Sequence, residues 1–213
     1  MTVPLLRAQG VTFARGGTAI LGGVNVDVHA GEVLAIMGPS GSGKTSLLAL
    51  LSGLERPDHG TVSLRGVGLD HVPATFGIVL QGYGLVNLLT AAENVEIPLQ
   101  TRGLAPEVVR ARAAAALQAA GLEPVSDHLV EELSGGQQQR VAVARALAIE
   151  PEVLIADEMT AELDTATKDV IAELVFQRAA SGVAVVLATH DDDLAARCHR
   201  QLRLMDGVVA GAG

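Results

Sequence analysis

Short apolar runs separated by glycines and polar turns are the dominant pattern of this sequence. Val24–Val28 alternates apolar and polar positions, which predicts a strand with one buried face. Val33–Met37, Val153–Ala156 and Val183–Ala188 are continuously apolar, which is typical of parallel strands covered on both faces. Residues 1–35 as a whole alternate strand-like segments with turns, so we expect several short strands there.

Helical segments lie between these strands. Lys44–Leu54 follows a glycine-rich loop, and Pro106–Gly121 is rich in alanine and closes on a glycine. Ser134–Glu150 ends before a proline, and Thr165–Ala180 separates two apolar runs. Residues 82–150 carry no strand pattern, which indicates a helical insertion.

The alternation of strands and helices predicts an α/β fold with a mostly parallel sheet. Gly60–Leu64 and Gly77–Gln81 add two further strand candidates. The chain has 213 residues and no internal repeat or linker-like stretch, which suits one domain. We therefore predict a single domain over residues 1–213, with a helical subdomain over roughly residues 82–150.

Composition and charge narrow the classes of function. The formal net charge is −9, which disfavours a nucleic-acid-binding surface, so no nucleic-acid partner is expected. The longest apolar runs are far too short to span a membrane, and residues 1–4 show no signal-peptide pattern. We expect a cytoplasmic protein that reaches a membrane only through a partner. Cys198 is the sole cysteine, which rules out an intrachain disulfide and predicts an inert thiol.

A phosphate-binding loop follows the apolar run Val33–Met37. The loop fits the pattern G-x-x-x-x-G-K-[ST], and its residues are Gly38, Pro39, Ser40, Gly41, Ser42, Gly43, Lys44 and Thr45, followed by Ser46. Glycines let backbone N–H groups converge on phosphate oxygens, and the helix that follows directs its positive end at the same anion. Lys44 is expected to reach the β- and γ-phosphates, and the Thr45 hydroxyl to bind Mg²⁺.

Two acidic residues end another apolar strand. Asp157 and Glu158 follow Val153–Ala156, at the carboxyl end of a parallel strand, where ligands bind in such sheets. We expect Asp157 to hold Mg²⁺ through water and Glu158 to polarise the attacking water as general base. Taken alone, these two acids could also simply mark the point where a buried strand ends and the chain enters solvent.

The run Leu133-Ser134-Gly135-Gly136-Gln137 opens a predicted helix, which Ser134 can cap. By itself this would be an ordinary capped helix end. Between a phosphate loop and an Asp-Glu strand end, however, it resembles the signature of the ABC ATPases, and the resemblance covers essentially the whole chain. It implies a P-loop NTPase (RecA-like) fold with a mostly parallel sheet core, an N-terminal antiparallel β subdomain and a helical signature-motif subdomain.

The resemblance also implies a mechanism and further site residues. Two domains, either two copies or two paralogues, are expected to pack head to tail, so that ATP on one phosphate loop is completed by the other domain's signature. The trans contacts would come from Ser134, Gly135, Gly136 and Gln137. Gln81 corresponds to the Q-loop glutamine near Mg²⁺ and water, His190 to the switch histidine at the γ-phosphate, and Asp164 to the D-loop aspartate. Phe13 is expected to stack on adenine, with a core phenylalanine as the competing interpretation.

Two features refine the resemblance. Met159 stands where the family usually has proline after the catalytic glutamate, which predicts an altered rate rather than lost function. Gly84–Leu99 is similar to the lipoprotein-release and macrolide-export branch, which predicts export through separate permease chains on the inner face of the cell membrane. Tyr83, Leu85 and Leu88 are candidate permease contacts, with ordinary core packing as the alternative.

Three kinds of rival function fit the motifs to different degrees: a cell-division cassette, a soluble cassette that acts on chromosomes or ribosomes, and a regulator without catalysis. A cell-division type of cassette would transmit ATP-driven motion through a permease-like partner without moving a solute, and motifs do not separate it from a transporter. Chromosome-associated cassettes need a long coiled coil, and residues 46–132 contain no heptads. Ribosome-associated cassettes usually carry two cassettes in one chain. A regulator without catalysis is disfavoured by the presence of Glu158 and His190.

Overall fold

The computed structural model describes residues 3–212, with side chains up to residue 210. Within this range it contains ten strands and six α-helices. The strands are β1 (Leu6–Arg15), β2 (Thr18–Val28), β3 (Val33–Met37), β4 (His59–Leu64), β5 (Val67–Gly68), β6 (Phe76–Val79), β7 (Val153–Asp157), β8 (Ala184–Ala188), β9 (Arg200–Met205) and β10 (Val208–Ala212). The helices are α1 (Lys44–Ser52), α2 (Ala91–Gln100), α3 (Pro106–Ala119), α4 (Gly135–Ala148), α5 (Thr165–Ala180) and α6 (Asp192–Ala196).

The main sheet has six strands in the order β10-β9-β3-β8-β7-β6. All neighbouring pairs are parallel except β9 with β10, which form a C-terminal antiparallel hairpin. Every residue of β3, β7 and β8 is buried, as expected for strands covered on both faces. The carboxyl ends of these three strands therefore lie at one edge of the sheet, where they can present functional groups.

A second sheet of four antiparallel strands, in the order β2-β1-β4-β5, covers one face of the core. Helix α1 contacts both sheets, and its buried leucines pack in one cluster with Leu6 and Val26 of the second sheet and Ile155 of the main sheet. This packing fixes the first turn of α1 relative to the main sheet. The loop that precedes α1 is thereby held at the sheet edge.

The other face of the main sheet carries the remaining large helices. Helix α4 contacts α2, α3 and β6, and its residues Val141–Ala144 are buried without measurable exposure. Helix α5 buries Ile171 and Val175 in the same cluster. Among the described residues, no strand longer than an isolated bridge lies between β6 and β7.

The predicted fold class is confirmed, whereas several element boundaries differ. The N-terminal strands are long, 10 and 11 residues, rather than short, because bulges let the β1–β2 pair continue past its glycines. The pattern did not predict α6 or the β9–β10 hairpin, where Arg200, Arg203 and Asp206 interrupt the apolar positions. The division into a single domain with a helical subdomain stays a prediction.

No helix within residues 3–212 is long and apolar enough to cross a membrane.

The single cysteine is packed against the end of α6. The Cys198 Sγ lies 3.4 Å from the Leu194 carbonyl oxygen, and burial raises the pKa of the thiol to about 11. Because the thiolate is the nucleophilic form, the side chain is protonated and unreactive at neutral pH.

Candidate nucleotide site

A cavity of the described structure lies where β3, β7 and β8 end. Its volume is about 800 Å³, within the range of small-molecule sites. The residues that line it are Ile20, Gly38, Pro39, Ser40, Gly41, Gly43, Lys44, Thr45, Ser46, Leu80, Gln81, Gly82, Tyr83, Gln139, Asp157, Glu158, Ala161, Glu162 and His190. The structure thus brings together residues that are far apart in the sequence, among them the phosphate loop, Gln81, Asp157, Glu158 and His190.

The phosphate loop forms one wall of this cavity. Gly38 leaves β3 with φ of 153°, and a Cβ atom there would lie 2.2 Å from the Leu204 carbonyl oxygen of β9. No side chain fits this position, so the sharp turn requires glycine. Ser42 is the one residue of the loop that does not line the cavity. Its backbone N–H donates to the Pro39 carbonyl oxygen at 3.2 Å and so supports the turn, and its hydroxyl is buried without a hydrogen-bond partner among the described residues.

Lys44 provides the positive charge of the site. Its ammonium donates to the carbonyl oxygens of Gly38 and Pro39, at 2.8 and 3.1 Å, and so lies over the loop itself. Lys44 also begins α1, whose N-terminal end carries a partial positive charge. The ammonium and the helix end act on the same small volume, which is the arrangement that binds phosphate.

A hydroxyl and a carboxylate meet beside the loop. The Thr45 hydroxyl donates to Asp157 Oδ2 at 2.7 Å, which joins the start of α1 to the end of β7. Burial raises the pKa of Asp157, the hydrogen bond from Thr45 lowers it, and the charge of Glu158 raises it further. A buried carboxylate beside a hydroxyl is a ligand pair suited to Mg²⁺, which takes one or two carboxylates plus substrate phosphates.

Glu158 and His190 face each other across the ends of β7 and β8. His190 Nδ1 lies 2.9 Å from Glu158 Oε2, and the histidine side chain is 72% exposed to the cavity and solvent. Glu158 adopts a left-handed backbone conformation with φ of 53°, which turns the chain sharply after the strand. Met159, which follows it, is 2% exposed and packs in the main core. Gln81 lies on the same cavity wall, just after β6.

The signature segment lies outside this cavity. Ser134 caps α4: its hydroxyl accepts from the Gln137 N–H at 3.3 Å, and its own N–H donates to Gln137 Oε1 at 2.8 Å. The two glycines make room for the loop after β7, because Cβ atoms on Gly135 and Gly136 would lie 2.9 and 3.0 Å from oxygens of Glu162. None of the four signature residues lines the cavity of its own chain.

Two predicted site residues lie elsewhere. The Asp164 carboxylate caps α5 by accepting from the Thr167 N–H at 3.0 Å and the Thr167 hydroxyl at 2.7 Å, and these bonds lower its pKa. Phe13 is 7% exposed, packs in the core beneath α1 and does not line the cavity. The stacking of Phe13 on adenine stays a prediction, and its burial favours the competing interpretation, a core phenylalanine, whose ring the Arg15 guanidinium covers at 5.8 Å.

Several cavity residues were not predicted. Ile20 and Leu80 carry no recognisable chemical signal in the sequence, and Ala161 and Glu162 belong to the D-loop segment, of which only Asp164 is predicted as a site residue. Gln139 has a weak signal, since it is a polar residue on the side of α4 that is otherwise apolar. Tyr83 was considered only as a permease contact.

The fold and the site define a P-loop NTPase. Residues 21–161 match the family model described as "ABC transporter", which places the chain in that family. The chain is 45% identical over 199 residues to the uncharacterized ABC transporter ATP-binding protein YbbA of Escherichia coli, covering 89% of this chain and 87% of that protein. It is 36% identical to the lipoprotein-releasing system ATP-binding protein LolD of Bacteroides thetaiotaomicron, covering 96% of this chain and 99% of that protein.

A longer relative is the macrolide export ATP-binding/permease protein MacB of Hyphomonas neptunium. It is 41% identical over 222 residues, which cover 98% of this chain but only 34% of that protein. Among solved structures, the dimeric post-hydrolysis state of the cassette MJ0796 bound to ADP and Pi superposes with a TM-score of 0.91 at 36% identity, covering 98% of this chain and 97% of that one. The chain is an ABC-type ATPase whose nucleotide is ATP and whose usual partner ion is Mg²⁺.

The buried carboxylate gives a prediction on stability. Because the folded-state pKa of Asp157 is raised, its ionised form costs folding free energy above its unfolded-state pKa, and the cost grows as pH rises through the folded-state value. Asp157→Asn should therefore raise the midpoint of thermal unfolding of the nucleotide-free protein at neutral pH, and the difference from wild type should shrink in acid. The same variant should lose the added stability that Mg-ATP gives to wild type. A variant that melts lower than wild type at neutral pH contradicts this account of the site.

Proposed function

We propose that the chain is the ATP-hydrolysing subunit of an exporter: it dimerises head to tail around two Mg-ATP and drives a separate membrane permease. The observation that carries the proposal is the position of the signature segment. It forms a capped, partly exposed helix end that does not line the cavity of its own chain. A helix N-terminus attracts anions, so this end is free to complete the nucleotide site of a second copy.

Each residue of the cavity has a role in this proposal. Lys44 and the loop N–H groups would hold the phosphates, and Thr45 and Asp157, with Gln81, would hold the metal ion. Bound Mg²⁺ would neutralise developing charge on the phosphate oxygens. Glu158 would accept a proton from the attacking water, and His190, 2.9 Å away, would keep the Glu158 carboxylate oriented toward the cavity and contact the γ-phosphate.

The second copy would contribute Ser134, Gly135, Gly136 and Gln137. In the described structure Gln137 bonds to the backbone of Ser134, so its side chain would have to turn outward to touch nucleotide. Asp164 would keep its place as the cap of α5 while the loop before it reaches across the dimer. The dimeric state of the MJ0796 cassette supports this arrangement. Loss of the γ-phosphate would break the trans contacts and let the dimer open.

Export is supported by the names of two relatives, macrolide export and lipoprotein release. The expectation that this branch uses only separate permeases is wrong as a general statement, because MacB is named as ATP-binding protein and permease at once. LolD, of which the chain covers 99%, supports a separate permease for this chain. The site of action would be the inner face of the cell membrane, with the protein held there by that permease.

A cell-division type of cassette stays as the second candidate, because nucleotide chemistry would be the same in a division cassette and in a transporter.

The test of the transport proposal is affinity purification of partners from detergent-solubilised membranes, with Glu158→Gln plus Mg-ATP as bait and the same bait in EDTA as control. We expect an integral membrane protein that is retained only with Mg-ATP and that changes the ATPase rate of the wild-type chain. Recovery of soluble partners alone would overturn the transport proposal.

A further inference from the structure

Gln139 is a polar side chain buried inside the protein. It lies on α4 and is 2% exposed, although it touches the wall of the nucleotide cavity. Its Nε2 donates to the Glu158 carbonyl oxygen at 2.6 Å, and its Oε1 accepts from the Glu162 N–H at 3.0 Å. One amide therefore spans both ends of the loop that follows β7.

The loop needs this support because of its backbone conformation. Glu158 has φ of 53°, a left-handed conformation that is unfavourable for a residue other than glycine. Such a conformation persists only where the surroundings hold it. The Glu158 N–H donates to the Ala188 carbonyl oxygen at 3.0 Å, and the Glu158 carbonyl oxygen accepts from Gln139 Nε2 at 2.6 Å and from the Ala161 N–H at 3.2 Å. The Ala161 bond closes the turn within the loop, and Gln139 is the partner that ties this carbonyl group to α4.

We infer that Gln139 is a positioning residue for hydrolysis: by holding the Glu158 carbonyl group and the Glu162 N–H, it sets the direction of the Glu158 carboxylate. The inference rests on the proposed role of Glu158 as general base. It adds that the position of this base is set from α4, the helix whose first residues form the signature. A shift of that helix end would therefore change the geometry of the base in the same chain.

The expected effect falls on turnover rather than on nucleotide binding. Gln139 makes no hydrogen bond to Lys44, Thr45 or Asp157 among its described contacts. A carboxylate displaced by about 1 Å can lose about 100-fold in rate. Gln139→Met, which keeps side-chain length without the amide, should lower kcat about 10- to 100-fold and leave KM for ATP nearly unchanged.

Gln139→Glu provides a second variant that keeps the volume. Its carboxylate can still accept from the Glu162 N–H, but it cannot donate to the Glu158 carbonyl oxygen while ionised. It should also lower kcat at neutral pH, and its rate relative to wild type at the same pH should rise as the pH falls and the introduced side chain is protonated. Gln177→Met, which removes an exposed amide from α5, serves as the control and should keep the wild-type rate.

A double-mutant cycle with Glu158→Gln decides the inference. If Gln139 acts through Glu158, Gln139→Met should lower kcat in the wild-type background and change it little when Glu158 is already glutamine. Equal losses in the two backgrounds, or a KM increase without a kcat loss, would overturn the inference. If Glu158→Gln alone leaves hydrolysis intact, the proposed role of Glu158 fails, which is a different result.

Discussion

Replacing Glu158 by glutamine should lower ATP hydrolysis by about 100- to 10,000-fold, the contribution usual for a positioned general base. The amide keeps the size of the side chain and its place at the end of β7, 2.9 Å from His190 in the native protein, but it cannot accept a proton from water. Lys44, Thr45 and Asp157 are unchanged, so ATP should still bind. The dimer formed with Mg-ATP should persist, because its nucleotide is no longer consumed.

Phosphate release measures the rate of hydrolysis. Size-exclusion chromatography with light scattering measures whether the dimer formed with Mg-ATP persists. Glu152→Gln is a matched control, since Glu152 precedes the first residue of the same strand and lies at its opposite end, outside the cavity. It should hydrolyse ATP at nearly the wild-type rate and stay monomeric without nucleotide. A Glu158→Gln protein that hydrolyses normally would show that another group is the base. One that stays monomeric with Mg-ATP would contradict the head-to-tail dimer.

Lys44→Ala should weaken ATP binding about 10- to 100-fold, as expected for losing charge-assisted hydrogen bonds worth about 1.5–3 kcal/mol. The ammonium lies over the loop carbonyl groups, 2.8 Å from the Gly38 oxygen, and is the only lysine that lines the cavity. Hydrolysis should become undetectable, because the same charge stabilises the phosphate oxygens during transfer. Titration with a fluorescent ATP analogue measures the affinity.

Lys168 provides a close control for the Lys44→Ala experiment. The chain has only two lysines, and Lys168 lies on α5, where it pairs with Asp191 at 2.8 Å and does not line the cavity. Lys168→Ala makes the same change in net charge and should keep wild-type affinity for ATP. If both variants lose affinity equally, net charge rather than the position of Lys44 governs binding.

Much of the fold could be predicted because its core strands are continuously apolar. Val33–Met37 was predicted with the observed bounds and Val153–Ala156 to within one residue, and α5 has the predicted bounds of Thr165–Ala180. The β9–β10 hairpin could not be predicted, since its exposed positions carry arginines and its pairing with β3 is non-local. Long-range pairing depends on packing that no local pattern records.

The residues of the cavity likewise divide into those that the sequence predicted and those that it did not. The phosphate-loop motif, the acidic strand end and, for His190, the family resemblance predicted one common site, and the structure places Asp157, Glu158, His190 and all of the loop except Ser42 around one cavity. For Phe13 the sequence left two interpretations, because an aromatic in an N-terminal strand gives no sign of which face it occupies until the pairing is known. Gln139 was missed because its partners are backbone groups of Glu158 and Glu162, and backbone partners leave no mark in the sequence.

The partial burial of Cys198 makes the native chain suitable for site-specific spectroscopy. With the pKa of its thiol raised to about 11, maleimide reagents at neutral pH should modify it much more slowly than an exposed cysteine. A cysteine introduced at an exposed position such as Ser181 would then be the preferred labelling site of each copy. Spin labels or fluorophores attached there would report the separation of two copies as ATP is bound and hydrolysed.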